Sequence, residues 1–141
     1  MIQLRPAHRS DAGFMIRLEA MVMAAHARAL WGRFHPAPDP TCSDLENSRI
    51  VERNGAPVGY LTLERAPDHL RLRKLYLAPG HQGHGLGKQL LHIARAEAAA
   101  AGLPLRLSVL RPNTRALNFY LREGLEPVEA TAERIFLQSP S

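Results

Sequence analysis

Cysteine is nearly absent from this sequence, and so is any long apolar run. Cys42 is the only cysteine among 141 residues, so the chain can form neither an intrachain disulfide nor a cysteine-based zinc site. The most apolar early stretch, residues 20–30, is interrupted by His26 and Arg28, whereas a helix that crosses a bilayer needs roughly 20 apolar residues. The first residues also lack the basic and apolar regions of a signal peptide. We therefore expect a soluble, cytoplasmic protein.

Lysine is scarce as well, although the chain is basic. There are 18 Lys and Arg residues against 13 Asp and Glu, a formal net charge of +5, yet only Lys74 and Lys88 are lysines. A basic chain suits a polyanionic partner such as nucleic acid, an acidic membrane or a phosphorylated cofactor. No DNA- or RNA-reading motif is recognisable, and the aromatic residues do not interleave with the basic ones. We therefore expect no nucleic-acid or membrane partner.

Apolar periodicity predicts one α/β (α+β) domain over residues 1–141. With 45% hydrophobic and 22% charged residues, the composition is that of a globular protein with a substantial core. The predicted order is β-α-β-β-β-α-β-α-β-β, which implies a mixed sheet. The strands are expected at 2–5, 49–53, 57–63, 70–77, 105–110, 128–130 and 135–137.

Helix and turn signals support this order. Ser10 is expected to cap the first helix, and three prolines in residues 35–40 should end regular structure after it. The pair Asn54-Gly55 predicts a tight hairpin, and a second helix is expected at 85–101. The first helix should bury one stripe, formed by Phe14, Leu18, Met21, Val22, Ala25 and Ala29.

The strand Leu70–Leu77 contains a shift in its alternation. Its leucines form two pairs that are out of step by one residue: Leu70 with Leu72, and Leu75 with Leu77. One face can bury both pairs only if the strand carries an extra residue at Arg73-Lys74, which is a β-bulge. The alternative is a strand buried on both faces, in which the shift has no consequence. We predict the bulge.

A glycine-rich segment, Gln82-Gly83-His84-Gly85-Leu86-Gly87-Lys88, lies between a predicted strand and a predicted helix. Glycines there allow successive N–H groups to converge on one point, and the helix N-terminus adds free donors and partial positive charge, so the segment predicts a phosphate site. A Walker loop fails at Gln82 and Gln89, and a dinucleotide fingerprint fails at Lys88. A plain loop is the remaining alternative.

This segment resembles the coenzyme A pyrophosphate loop of the GNAT superfamily of N-acetyltransferases, whose fixed positions are filled by Gln82, Gly85 and Gly87. The lead-in at 75–79, the bulged strand before it, and the spacing of Asn, Ala, aromatic-Tyr and Gly-hydrophobic residues over 113–125 match the family as well. The resemblance covers nearly the whole chain and is strongest from about 50 to 127. It implies a single GNAT-type domain with a mixed, mostly antiparallel sheet of six or seven strands, flanked by helices and with a bulged central strand.

The resemblance implies an acetyl-CoA-dependent N-acetyltransferase, in which an amine attacks the thioester directly. The backbone of Leu75, Tyr76 and Leu77 is implied to bind the pantetheine arm, and Asn113 to hydrogen-bond it while also capping the last helix. Tyr120 is the implied proton donor to the departing thiolate, or alternatively a core residue. The loop residues implied to hold the pyrophosphate are Gln82, Gly83, His84, Gly85, Leu86, Gly87 and Lys88.

The resemblance is least informative about the general base. The glutamate that some family members carry five residues before the Asn is Ser108 here. Glu64, Asp68 and His69 are the alternatives, together with water or proton loss before binding. No helix carries paired histidines beside an acid, so we expect no metal. We also expect Cys42 to be an ordinary thiol and His81 to be solvated or to face phosphate.

The acceptor is expected to be a small primary amine or peptide that carries an anionic group, because four arginines on neighbouring strands predict a basic cleft: Arg71, Arg73, Arg106 and Arg111. The first helix and the connection from Trp31 to Ser48 should form its wall. A non-catalytic acyl-CoA-binding module is the alternative function, and either a monomer or a homodimer is compatible with the sequence.

Overall fold

The computed structural model describes residues 2–34, 42–83 and 85–140, without the side chains of Cys42 and Ser43. Within these residues, strands and helices alternate much as predicted. The strands are β1 Ile2–Pro6, β2 Ser48–Arg53, β3 Ala56–Arg65, β4 Leu70–Leu77, β5 Leu105–Leu110, β6 Glu126–Ala130 and β7 Arg134–Gln138. The helices are α1 Ala12–Trp31, α2 Cys42–Glu46, α3 Leu86–Ala100 and α4 Thr114–Arg122.

The seven described strands form one mixed sheet in the order β1-β2-β3-β4-β5-β7-β6. Every neighbouring pair is antiparallel except β4 and β5, which are parallel. This confirms the predicted mixed, mostly antiparallel sheet. The short helix α2 was not predicted, and the proline segment 35–40 before it lies outside the described residues.

The two predicted irregularities of the sheet are both present. Asn54 and Gly55 have φ angles of 54° and 80°, the two positive values of a type I′ hairpin turn. Between β3 and β4, Thr62 pairs with Lys74 and the next residue, Leu63, pairs with Leu72. The residue between those two partners on β4 is therefore the extra residue of the predicted bulge.

The bulge keeps the leucines of β4 on one face. Leu70 and Leu72 lie in the main hydrophobic cluster, and Leu75 packs against it, while Leu77 belongs to the adjoining cluster beneath α3. Helices α3 and α4 cover this face of the sheet. The predicted stripe of α3 is confirmed, since its buried residues are Leu86, Leu90, Leu91, Ala94 and Ala98.

Helix α1 covers the opposite face, but its start and its buried stripe differ from the prediction. Ser10 lies in a short 3₁₀ turn, and the helix follows Asp11, whose carboxylate is held by Arg5 at 2.8 Å. The ion pair thus occupies the place of the expected cap. The buried residues are Met15, Leu18 and Ala27, whereas Met21, Ala25 and Ala29 of the predicted stripe are exposed. No helix in the described ranges combines the length and apolar character that a bilayer crossing requires.

Candidate active site

Strands β4 and β5 separate soon after they meet. Their parallel pairing is formed by Leu70 with Leu105 and by Arg71 with Arg106. Beyond these pairs the described strands diverge, so the edge of β4 from Leu72 to Leu77 has no neighbouring strand on the β5 side. An unpaired edge offers N–H and C=O groups to an extended ligand. The opening therefore suits a pantetheine arm, as the resemblance implied.

Close packing from β3 fixes the position of this edge. Gly59 pairs with Leu77, and a Cβ on Gly59 would overlap the carbonyl oxygen of Tyr76 and come within 2.9 Å of Leu77 Cδ2. Only a residue without a side chain allows β3 this close to β4. Gly59 therefore determines how closely β3 approaches the backbone of Tyr76 and Leu77.

The glycine-rich loop adopts the conformation that its composition predicted. Gly83 and Gly85 have φ angles of 79°, and Gly85 immediately precedes α3. A Cβ at Gly85 would extend into open space, so glycine is needed there for its backbone conformation. His84 lies outside the described residues. The unpaired N–H groups of the first turn of α3 can therefore receive an anion that approaches the loop.

The side chain of Gln82 connects this loop to the strand and to α4. Its amide nitrogen donates to the carbonyl oxygen of Leu77 at 2.9 Å, and its oxygen accepts from Arg115 at 3.3 Å. Arg115 was not identified from the sequence, because nothing in its spacing places it beside a loop 33 residues earlier. The structure thus adds a second cation to the loop, where only Lys88 was expected.

Other loop residues occupy different environments. Lys88 is exposed, whereas the Leu86 side chain is buried in the core, so Leu86 has only its backbone available for a ligand. The Nδ1 atom of His81 is buried and has no partner among the described residues. Of the two environments expected for His81, solvation therefore does not apply to this side of the ring. A broad depression along the outer face of α3 begins at Gly85 and Lys88 but includes no residue of the β4–β5 opening.

Helix α4 carries the two remaining predicted residues. Asn113 caps it, with Oδ1 accepting from the Ala116 N–H at 3.2 Å, which confirms the capping role. Tyr120 is half-buried against the main core cluster, and burial raises the pKa of its hydroxyl to about 12. The hydroxyl therefore stays protonated at neutral pH, and it has no hydrogen-bond partner among the described residues.

Tyr76 packs on the α1 face of the opening, against the cluster that includes Leu18 and Tyr60. Its pKa is raised by burial above all, and the negative charge of Glu19 raises it further. Tyr120 comes from α4, and Glu19 comes from α1 on the opposite face of the sheet. Glu19 was not identified from the sequence, where its one distinction is that it is the only acidic residue of α1. Tyr76 and Glu19 thus lie on one face of the opening, and Tyr120 lies on the other.

The expected basic cleft is partly neutralised. Arg73 pairs with Asp44 at 2.9 Å and with Glu64 at 3.4 Å, and Arg106 pairs with Glu129 at 2.8 Å. Among the described residues, Arg71 and Arg111 have no carboxylate partner. Two of the four predicted arginines therefore retain uncompensated charge.

The three candidate bases lie on β3 and the β3–β4 turn. Glu64 contacts Arg73, and the Asp68 carboxylate lies 2.7 Å from Nδ1 of His69. His69 lowers the pKa of Asp68, and both lie next to the start of β4, where β4 still pairs with β5. In the parts of the chain described, no group of three or more His, Cys, Asp or Glu side chains could hold a metal ion.

Comparison with known proteins agrees with this geometry. Residues 18–125 match the model of the acetyltransferase (GNAT) family. A mycothiol acetyltransferase of Jonesia denitrificans is 36% identical over 83 residues, which are 56% of this chain but 26% of the relative. The chain therefore spans about a quarter of the length of that relative.

Solved structures show the same fold. The PaiA N-acetyltransferase of Thermoplasma acidophilum, in complex with coenzyme A, superposes with a TM-score of 0.78 at 16% identity and covers 100% of this chain and 99% of its own. The diaminobutyrate acetyltransferase of Paenibacillus lautus, in complex with L-2,4-diaminobutyric acid and coenzyme A, has a TM-score of 0.72 at 17% identity, with 99% and 95% covered.

Proposed function

The chain belongs to the acetyltransferase (GNAT) family, and on that basis we propose that it transfers the acetyl group of acetyl-CoA to a primary amine in a ternary complex. The observation that carries the proposal is the unpaired edge of β4 from Leu72 to Leu77, which leads directly to the glycine loop before α3. A phosphorylated ligand with an extended amide arm fits this combination of an anion site and a free strand edge.

The co-substrate is held mainly by the backbone in this proposal. The edge groups of Leu75, Tyr76 and Leu77 bind the pantetheine arm, and a free N–H among them polarises the thioester carbonyl. The N–H groups of the loop and of the first turn of α3 bind the pyrophosphate, assisted by the charges of Lys88 and Arg115. The remaining proposed contacts are made by Gln82, Gly83, His84, Gly85, Leu86, Gly87 and Asn113.

Tyr120 serves as the general acid. The acceptor's ammonium group first loses a proton to water, and its neutral nitrogen then attacks the thioester carbon. The carbon–sulfur bond breaks, the nitrogen releases its second proton as the amide forms, and the sulfur leaves as a thiolate that needs a proton. The Tyr120 hydroxyl has its pKa raised to about 12 by burial and is not engaged with another described residue. It is therefore protonated and available at neutral pH.

The acceptor is proposed to carry an anionic group besides its amine. Arg111 lies just after β5, and Arg71 lies on β4 in the segment that still pairs with β5, one residue before the opening begins. Neither charge is matched by a carboxylate among the described residues. The acceptor named in the Paenibacillus lautus structure, L-2,4-diaminobutyric acid, is an amine that carries a carboxylate. A small amino acid or an amino phosphate is therefore the proposed class.

A panel of amines tests this proposal. Purified protein is mixed with acetyl-CoA and, separately, with glycine, L-glutamate, phosphoethanolamine, ethanolamine, putrescine or spermidine, and thiol release is followed. We expect the fastest release with an amine that carries a carboxylate or phosphate. Faster turnover of spermidine than of every anionic amine would overturn the acceptor class while leaving the transfer reaction intact.

A further inference from the structure

Glu19 occupies an enclosed position on the α1 side of the opening. Its side chain is 17% exposed and lies 2.6 Å from Nζ of Lys74 on β4. Its Oε2 atom also accepts a hydrogen bond from the Tyr60 hydroxyl on β3 at 3.4 Å. Three elements, α1, β3 and β4, therefore converge on this carboxylate, which belongs to no part of the proposed coenzyme site.

Aromatic side chains connect Glu19 to the strand edge. The rings of Tyr60 and Tyr76 pack edge to face, with centroids 5.4 Å apart and an interplanar angle of 89°. Tyr76 and Lys74, whose Nζ contacts Glu19, both lie on the part of β4 that has no β5 partner. Glu19 is therefore close to the unpaired edge of β4, on the face of the sheet opposite Tyr120.

Two other carboxylates lie outside the opening, since Glu64 is opposite Arg71 where β4 still pairs with β5, and Asp68 precedes β4. Glu64 and Asp44 both contact the guanidinium of Arg73, and Asp68 is bound to His69 in the turn before β4. The contacts of Glu19 with Lys74 and Tyr60 both involve Oε2. Because a carboxylate offers about four acceptor sites on its two oxygens, Oε1 retains the capacity to accept from a further donor.

The geometry points to Glu19 as the residue that binds the ammonium group of the acceptor, through Oε1, on the α1 side of Tyr76. This inference rests on the proposed transfer reaction and adds to it the residue that receives the amine. A hydrogen bond between an ammonium and a partly buried carboxylate is charge-assisted. Its loss weakens binding by about tenfold to a hundredfold.

A variant of Lys74 distinguishes acceptor binding by Glu19 from a purely structural role. If Glu19 only stabilises the sheet by pairing with Lys74, then Glu19→Gln and Lys74→Met remove the same interaction and should have the same effect. If Glu19 binds the acceptor, then the ammonium of Lys74 competes with that of the acceptor for the Glu19 carboxylate. In that case Glu19→Gln weakens acceptor binding, while Lys74→Met leaves it unchanged or strengthens it.

The test measures KM for the acceptor and for acetyl-CoA in the full chain, using the fastest amine of the panel described above. Glu52→Gln is the matched control, since Glu52 is 20% exposed and pairs with Arg5 away from the opening. We expect Glu19→Gln to raise the acceptor KM at least tenfold, with the acetyl-CoA KM within twofold of wild type. Glu19→Asp should recover part of the loss, and it also serves if the glutamine variant does not fold.

An unchanged acceptor KM in Glu19→Gln, or an equal rise in Glu19→Gln and Lys74→Met, would overturn the role of Glu19 and leave the transfer reaction standing. If the wild-type protein neither acetylates nor binds any amine of the panel in calorimetry, both the proposed function and the role of Glu19 are overturned. The two failures are therefore distinguishable.

Discussion

Gly59 on β3 lies so close to the carbonyl of Tyr76 on β4 that no side chain fits between them. Tyr76 belongs to the strand edge proposed to bind the pantetheine arm. The position of this edge is therefore determined by a glycine on the neighbouring strand, which itself contacts no ligand.

Replacement of Gly59 by alanine should displace the β4 edge. The added Cβ overlaps the Tyr76 carbonyl and approaches Leu77, and overpacking of this kind destabilises a protein by about 1–3 kcal/mol. We expect G59A to unfold at lower urea concentration and to bind coenzyme A more weakly in calorimetry. Gly13→Ala in α1 is the control, because its Cβ meets only the flexible end of Arg17. Wild-type affinity in G59A would contradict the proposed role of this edge.

The glycine loop can be tested with two variants that impose similar backbone strain. Gly85 and Gly102 flank α3 and have φ angles of 79° and 70°, and a Cβ at either would meet nothing within 4 Å. Alanine at a positive φ costs about 1–2 kcal/mol at both sites. Only G85A should also weaken coenzyme A binding, since only Gly85 lies in the proposed phosphate site. Equal affinities in G85A and G102A would argue against that site.

Removal of the Tyr120 hydroxyl should separate binding from turnover. In Tyr120→Phe the ring still packs against the core, so acetyl-CoA affinity should stay within twofold of wild type. Without the proton donor, kcat should fall at least tenfold. Thiol release under saturating substrate measures the effect, and an unchanged kcat would remove Tyr120 from the mechanism.

The raised pKa of the Tyr120 hydroxyl also predicts how the free energy of unfolding changes in alkaline solution. Burial raises its pKa from 10.0 to about 12 in the folded protein, so between these values the folded state keeps a proton that the unfolded chain has released. The stabilisation is complete below pH 10 and is lost as the pH rises towards 12. Between about pH 8 and about pH 11, the free energy of unfolding measured with urea should fall less in Tyr120→Phe than in wild type. The residual loss comes from Tyr60 and Tyr76, whose pKa values burial also raises. An equal loss in both proteins would contradict this effect.

The elements whose structure follows from local chemistry could be predicted from the sequence. The phase shift in β4 predicted the bulge because side chains alternate strictly along a strand. Asn54-Gly55 predicted its turn because both residues tolerate positive φ. The loop between β4 and α3 was predicted from its glycines and its position before a helix.

Contacts between distant segments could not be predicted in this way. Trp31 at the end of α1 donates a hydrogen bond to Glu133, which lies in the turn between β6 and β7, and Arg73 pairs with Asp44 of the unpredicted α2. Such pairings determine which arginines remain without a carboxylate partner. Glu19 was overlooked for the same reason, since its neighbours on β3 and β4 are brought to it only by the folded sheet.

Acetyl transfer is tested by analysing the products of a reaction that contains the protein, acetyl-CoA and the amine panel. Liquid chromatography with mass spectrometry would quantify free coenzyme A and the acetylated amine. The proposed function predicts that both appear in equal amounts and only when protein and amine are present together. If the protein binds acetyl-CoA but no amine of the panel is acetylated, transfer is contradicted and a non-catalytic acyl-CoA-binding module is indicated.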